Sequence, residues 1–227
     1  MSSLTNFQIY DLLNRLRPLW LVKIDLSDAS LYWVDLSECN LSMANLSKAN
    51  LNWANLAGAD LRRADLSMAN LFEAHLQRAN LTEANLSHAN LTRADLGKTD
   101  MPEAIMVEAN LSRASLSKAM MIRANLNGST MNRADLSKTN LAGANLSGAD
   151  LSLANLFDTN LSGANLRGAN LTKADLTAAN LSRADLSGAN LTGADLNEAN
   201  FDGATLTDAI MPDGTRYVKE QSSADGG

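Results

Sequence analysis

Ala44-Asn45-Leu46-Ser47-Lys48-Ala49-Asn50-Leu51-Asn52-Trp53-Ala54-Asn55-Leu56 repeats one five-residue phrase, Ala-(Asn/Asp)-Leu-Xaa-Xaa. The phrase runs from Ile24 to Asp208, about 37 times, without an insertion or a deletion. Every Leu of the phrase falls at a number ending in 1 or 6, from Leu26 to Leu206. The five exceptions, Met101, Met106, Met121, Met131 and Phe201, are all apolar. A repeat this strict decides the architecture before any other feature is read. Ala and Leu stand two apart with Asn or Asp between them, so on an extended chain they share one face and the polar residue takes the other. The remaining pair is short, polar or Gly-containing, as in Ser47-Lys48, Ala57-Gly58 and Ser147-Gly148, and suits a bend. A helix fails, because a period of five does not hold Leu on one stripe at 3.6 residues per turn. Each phrase therefore reads as a minimal strand plus a corner, and such strands bury their Leu only by stacking.

Runs of this phrase over residues 24–208 resemble the pentapeptide repeat family, in particular the multicopy proteins of cyanobacterial type, including their Met211-Pro212-Asp213-Gly214 ending. The resemblance implies an all-β solenoid, a right-handed, quadrilateral β-helix with four phrases per coil. Leu fills the centre, Ala packs between Leu layers and the other three positions face water. At roughly 4.8 Å between coils, about nine coils make a rod on the order of 45 Å long. The chain of 227 residues reads as one elongated domain: a cap over 1–20, the β-helix over 21–211, and a strand or turn with a disordered tail over 212–227. Aromatics make up only 4% of the chain, as expected when a Leu column replaces a globular core.

Residues 2–20 lack the phrase. Thr5 and Gln8 form a capping-box pattern, and Phe7, Ile9, Leu12, Leu13 and Leu16 recur at helical spacing before Pro18 stops the run. The expectation is a short amphipathic α-helix laid over the open N-terminal coil, with Ile24, Val34 and Cys39 packing beneath it. Residues 1–20 contain no continuous apolar run of signal-peptide type, and no stretch reaches transmembrane length. A lone Cys39 forms no internal disulfide, and the expectation is a cytoplasmic protein without a membrane partner. Thr215–Lys219 has the character of one last strand.

With 20 residues per coil, residues 20 apart stack in outward columns. One column holds Trp33, Trp53, Glu73, Arg93, Arg113, Arg133, Leu153 and Lys173; Tyr32 and Phe72 belong to the same phrases. The next face carries Arg78, Lys98, Lys118 and Lys138. The cluster Tyr32, Trp33, Trp53 and Phe72 is either covered by the N-terminal helix or a patch for docking a protein partner or for self-association, since monomers rarely leave such patches open. The basic faces, Arg93, Arg113 and Arg133 beside Arg78, Lys98, Lys118 and Lys138, are either solvated, with Asp95 and Asp135 compensating, or a dock for an acidic partner. Pro102, Ile105, Val107, Met120 and Ile122 occupy slots usually polar, and mark either an apolar docking patch or a distorted coil.

Catalytic motifs built from Asp, Asn or Ser carry no weight here, because these residues fill repeat slots. Only His75 and His88 exist, on different faces, and no phosphate-binding or dinucleotide fingerprint occurs. A filled convex rod has no pocket for a small-molecule substrate. The sequence thus implies a non-enzyme without metal or cofactor. A net charge of −6 argues against nucleic acid. The leading expectation is a protein-interaction scaffold or regulator with an unidentified protein partner, as a monomer or weak end-to-end dimer. One alternative is the gyrase-binding DNA mimicry of quinolone-resistance pentapeptide proteins. This chain departs from them in lacking a C-terminal helix, in favouring Leu over Phe at the centre, and in its basic columns. The other alternative is a structural, self-assembling rod.

Overall fold

The computed structural model describes Asp11 and residues 18–218. From Trp20 to Asn190, every fifth residue forms a parallel bridge with the residue 20 further on: Trp20 with Asn40, Asp25 with Asn45, Ser30 with Asn50, Asp35 with Asn55, and so to Asn190 with Ile210. Twenty residues therefore complete one coil, four bridge lines run along it, and the fold is a four-sided β-solenoid. Counting Leu as the first residue of each phrase, Ala is the fourth and Asn or Asp the fifth. The fifth residue joins the coils: the Asp65 N–H donates to the Ala44 carbonyl at 2.9 Å, and the Asp65 carbonyl accepts from the Leu46 N–H at 2.7 Å. The third residue adds another bond, Lys48 N–H to the Ser67 carbonyl at 2.8 Å.

Each phrase also closes a turn on itself, as where the Ala49 N–H donates to the Leu46 carbonyl at 3.1 Å. That turn spans positions one to four, so only the fifth residue forms a bridge, although the first and third residues also donate to the next coil. The strand pictured from the sequence is shorter than its Ala-Asn-Leu triplet. From Lys23 to Asp208 every third residue lies in the left-handed region, with φ between 53° and 69°. Most of these residues are not glycine, yet none is Val, Ile or Thr, whose branched Cβ fits that region worst. Long unbranched side chains such as Arg, Lys and Glu therefore collect in the slot that projects furthest, and this gives the rod its charged columns.

The interior is the expected column. Leu26 to Leu191 are 0–1% exposed, and the Ala residues between their layers are almost equally closed. Burial of one such Leu is worth roughly 1.5–3 kcal/mol. Thr99, Ser129, Thr139 and Thr159 take the Ala slot without cost in unpaired hydroxyls, since these donate to the carbonyls of Leu96, Leu126, Leu116 and Leu136 at 2.7–2.9 Å.

The Asn/Asp slot does two jobs. Its Oδ1 accepts from the N–H and hydroxyl two residues on, as Asn45 does from Ser47 at 3.1 and 2.7 Å. An Asn amide then donates to the slot one coil back: Asn45 to Asp25 at 3.0 Å, Asn90 to Asn70 at 2.9 Å, Asn155 to Asp135 at 3.1 Å. The Ser27 hydroxyl and N–H hold the Asp25 carboxyl below its usual range, and those of Thr215 do so for Asp213. A lowered folded-state value makes this contribution present at neutral pH and lost as acid takes the pH down through that value. Among the described residues only one bridge sets two carboxylates against each other, Asp175 with Asp195. Asp195→Asn should supply the missing amide donor and raise stability by about 0.5 kcal/mol, read as a higher urea midpoint at neutral pH. No gain would mean the ladder contributes nothing at this corner.

The helix expected over 1–20 lies outside the described residues, apart from Asp11 and 18–20. Of these, Leu19 and Trp20 belong to the solenoid rather than to a cap. Trp20 bridges Asn40, and the Leu19 N–H donates to Cys39 Sγ at 3.3 Å. Ile24 and Val34 are partly buried against the core and Cys39 is fully buried within it. At the other end the chain reverses after Met211-Pro212-Asp213-Gly214, and Arg216 pairs antiparallel with Ile210. Of the last strand expected over Thr215–Lys219 the structure shows one antiparallel bridge, at Arg216, with the Tyr217 N–H donating to the Ala209 carbonyl at 2.7 Å; Lys219 and the disordered tail expected beyond it lie outside the described residues. In the last coil Leu196, Phe201 and Leu206 are only partly buried.

Candidate interaction surfaces

The third residues of the phrases define four faces: face one through Lys23 and Met43, face two through Asp28 and Lys48, face three through Trp33 and Trp53, face four through Glu38 and Gly58. On face three the indoles of Trp33 and Trp53 stack, with centroids 5.3 Å apart and planes 10° from parallel. Phe72 meets Trp53 edge-on at 5.7 Å and 86°. Trp33 is 68% exposed and Tyr32 in the adjacent slot 59%, while Trp53 and Phe72 are half-buried against them and their neighbours. The Trp53 indole N–H donates to Glu73 Oε2 at 3.0 Å, and Glu73 Oε1 pairs with Arg93 at 2.9 Å. Glu73 thereby links the aromatic part of the face to its basic part.

Beyond Arg93 the character changes. Arg113 and Arg133 continue face three, while Arg78, Lys98, Lys118 and Lys138 stack on face four. Among the described residues none of these six has an ion-pair partner. Asp95 and Asp135, between the two columns, are engaged elsewhere: Asp95 accepts from Gln77 and the Gly97 N–H, Asp135 from the Ser137 N–H and Asn155. Faces one and two behave differently. There, opposite charges one coil apart meet, Arg63 with Glu83 at 2.8 Å and Glu103 with Arg123 at 3.8 Å, although Glu83 and Glu103 also stand one coil apart, and the His88 ring lies 3.4 Å from Glu108. Arg63 in turn holds the Glu83 carboxyl below its usual range.

At the far end of the basic columns two apolar side chains emerge that sequence reasoning did not single out, Leu153 on face three (46% exposed) and Phe157 on face four (39%). Phe157 had a signal: the same slot in earlier coils holds Ser37, Ala57, Gln77, Gly97, Ser117 and Ser137. Pro102 and Ile122 lie on face one, across the rod from the aromatics, with Met120 at its edge with face four, Ile105 at its edge with face two, and Val107 on face two. Ile105 and Met120 are exposed, the other three half-buried. The coil is regular there, with Met120 bridging Asp100 and Asn140 and Ile105 bridging Asn85 and Asn125. Pro102 fits because, among the described residues, no second-residue N–H donates to a backbone carbonyl of a neighbouring coil.

Clefts on faces three and four are shallow and open, lined by Glu38, Gln77, Arg78, Asp95 and Lys98 or by Trp33, Trp53, His75 and Arg93. Among the described residues no three of His, Cys, Asp and Glu are placed to hold a metal, and no helix is long and apolar enough to cross a membrane.

A four-sided solenoid whose coils are built from four five-residue phrases defines a class of protein by itself. The pentapeptide-repeats profile matches residues 24–63, 44–71, 69–106, 103–133, 134–172 and 174–211, and the chain belongs to the pentapeptide repeat family. Among solved structures it is similar to HetL from the cyanobacterium Nostoc sp. strain PCC 7120, described as involved in heterocyst differentiation regulation. The two share 37% identity over 88% of this chain and 92% of HetL, with a TM-score of 0.56. A trypsin-treated form of QnrB1, a plasmid-mediated fluoroquinolone resistance protein, matches in fold at 19% identity over 70% of this chain and 85% of QnrB1, TM-score 0.59. No curated protein sequence matches significantly.

Proposed function

We propose that this protein is a non-catalytic scaffold that binds another protein through the aromatic end of face three. The observation that carries the reading is the solvent-facing Trp33–Trp53 stack with Phe72 against it. Exposed aromatic clusters of this kind are favoured at interface hot spots and are otherwise a liability on a monomer. Similarity to HetL, a protein described as taking part in regulation, supports a role exercised by contact rather than by chemistry. The six unpaired cations on faces three and four are opposite in sign to the phosphates of a duplex, which disfavours DNA mimicry.

Crosslinked affinity capture from a lysate of the source organism tests the reading, comparing the native chain with the Trp33→Ser/Trp53→Ser variant. At least one protein held by the native chain should be lost with the variant, while the far-ultraviolet circular dichroism stays the same, because both indoles lie outside the Leu column. Identical captures from the two would sink the proposal.

A further inference from the structure

We propose that faces three and four form one docking strip for an acidic polypeptide segment that carries an apolar residue at each end. This names the partner's chemistry and rests on the scaffold reading above. The strip has an axial order: Trp33, Trp53 and Phe72 at one end, Leu153 and Phe157 at the other, and between them Arg78, Lys98, Arg113, Lys118, Arg133 and Lys138 in two adjacent columns. Trp33 and Leu153 are six coils apart, about 29 Å at the spacing of stacked strands. An extended segment of about nine residues covers that distance.

Charge arrangement carries the argument. The same rod shows on face one how stacked slots neutralise one another, with an Arg one coil from each Glu: Arg63 against Glu83 and Arg123 against Glu103. On faces three and four the cations stack on cations, an arrangement that destabilises neighbouring strands. The nearby Asp95 and Asp135 satisfy backbone and amide donors rather than the Lys and Arg columns. Carboxylates from a second chain are what such columns lack. A polynucleotide fits less well, since the whole chain carries −6, Asp95 and Asp135 line the path, and Leu153, Phe157 and Asp158 interrupt the cations before Lys173.

The probe is a fluorescein-labelled nine-residue peptide with leucine at both ends and glutamate between, titrated by anisotropy at low and moderate salt. The native chain should bind it, more weakly as salt rises. Arg113→Glu/Lys118→Glu should weaken binding at least tenfold without lowering the melting temperature, because the reversals turn Arg93-Arg113-Arg133 and Lys98-Lys118-Lys138 into alternating ladders. That combination separates docking from a structural role. The proposal is overturned if the native chain ignores the peptide, if the reversals leave its affinity unchanged, if an all-glutamate peptide binds equally well, or if a single-stranded oligonucleotide of equal charge binds more tightly. In the lysate capture, partners lost with the Trp variant but kept by the charge reversals would remove the strip and leave the scaffold; captures unchanged by either would remove both.

Discussion

Asn110→Pro should cost this fold about 3 kcal/mol or more, whereas Ser112→Pro, two residues on, should change stability by no more than about 1 kcal/mol. The Asn110 N–H is a bond between coils, donating to the Ala89 carbonyl at 2.9 Å, and proline removes that donor and leaves the carbonyl unpaired. The same substitution deletes the Asn110 Oδ1 that accepts from the Ser112 N–H and hydroxyl. Ser112 occupies the second slot of its phrase, where Pro102 already sits in the native chain, and its N–H bonds only that Asn110 side chain. Urea unfolding of the two variants side by side measures the difference. Equal midpoints would show that the fifth-residue bridges do not hold the coils together.

Leu111→Ala should cost about 2–5 kcal/mol, the range for truncating a buried Leu where the walls collapse only in part. Leu111 is fully closed, with Leu91 and Met131 one coil to either side. Leu206→Ala, in the partly open last coil, should cost well under half as much. Leu111→Met should cost less than about 1.5 kcal/mol, since Met101, Met106, Met121 and Met131 already fill this slot at full burial. The position along the rod matters for a second reason. Each coil contacts only its neighbours, so a defect at the middle uncouples two halves, while one at the end merely frays. Denaturation curves should therefore lose steepness with Leu111→Ala and keep it with Leu206→Ala. Identical losses at the two sites would mean the column is not the source of cooperativity.

The Leu column was legible as a periodicity, which survives without coordinates; the 20-residue stacking, and with it the Trp33–Trp53 pair, came from the resemblance to the pentapeptide repeat family, because a period of five does not say how many phrases close a coil. What was not legible depends on angles and on which partner a side chain chooses. Nothing in Ser47-Lys48 announces that the second of the two takes the left-handed conformation, although the lack of Val, Ile and Thr at that slot encodes it. Spacing placed Arg93, Arg113 and Arg133 in one column, yet Arg93 turns back to Glu73 and leaves only the other two free of partners. Asp95 and Asp135 stood close enough to the lysines to suggest compensation, and backbone donors claim them instead. Phe157 was overlooked because it is single, and its meaning comes from Leu153 in the next column and the cations before it.

The unbroken run of phrases gives this rod a property that looped folds lack: angular position is counted by residue number. Loss of one phrase would keep every Leu on the axis and give every bridging residue a partner, yet all that follows would swing a quarter turn about the axis. Loss of four phrases would shorten the rod by one coil and restore the alignment. Trp33 and Phe157 can therefore fall out of line without either being altered, through a change between them that the core does not register. Chain length works here as a dial, with four settings, that orients one half of the surface against the other.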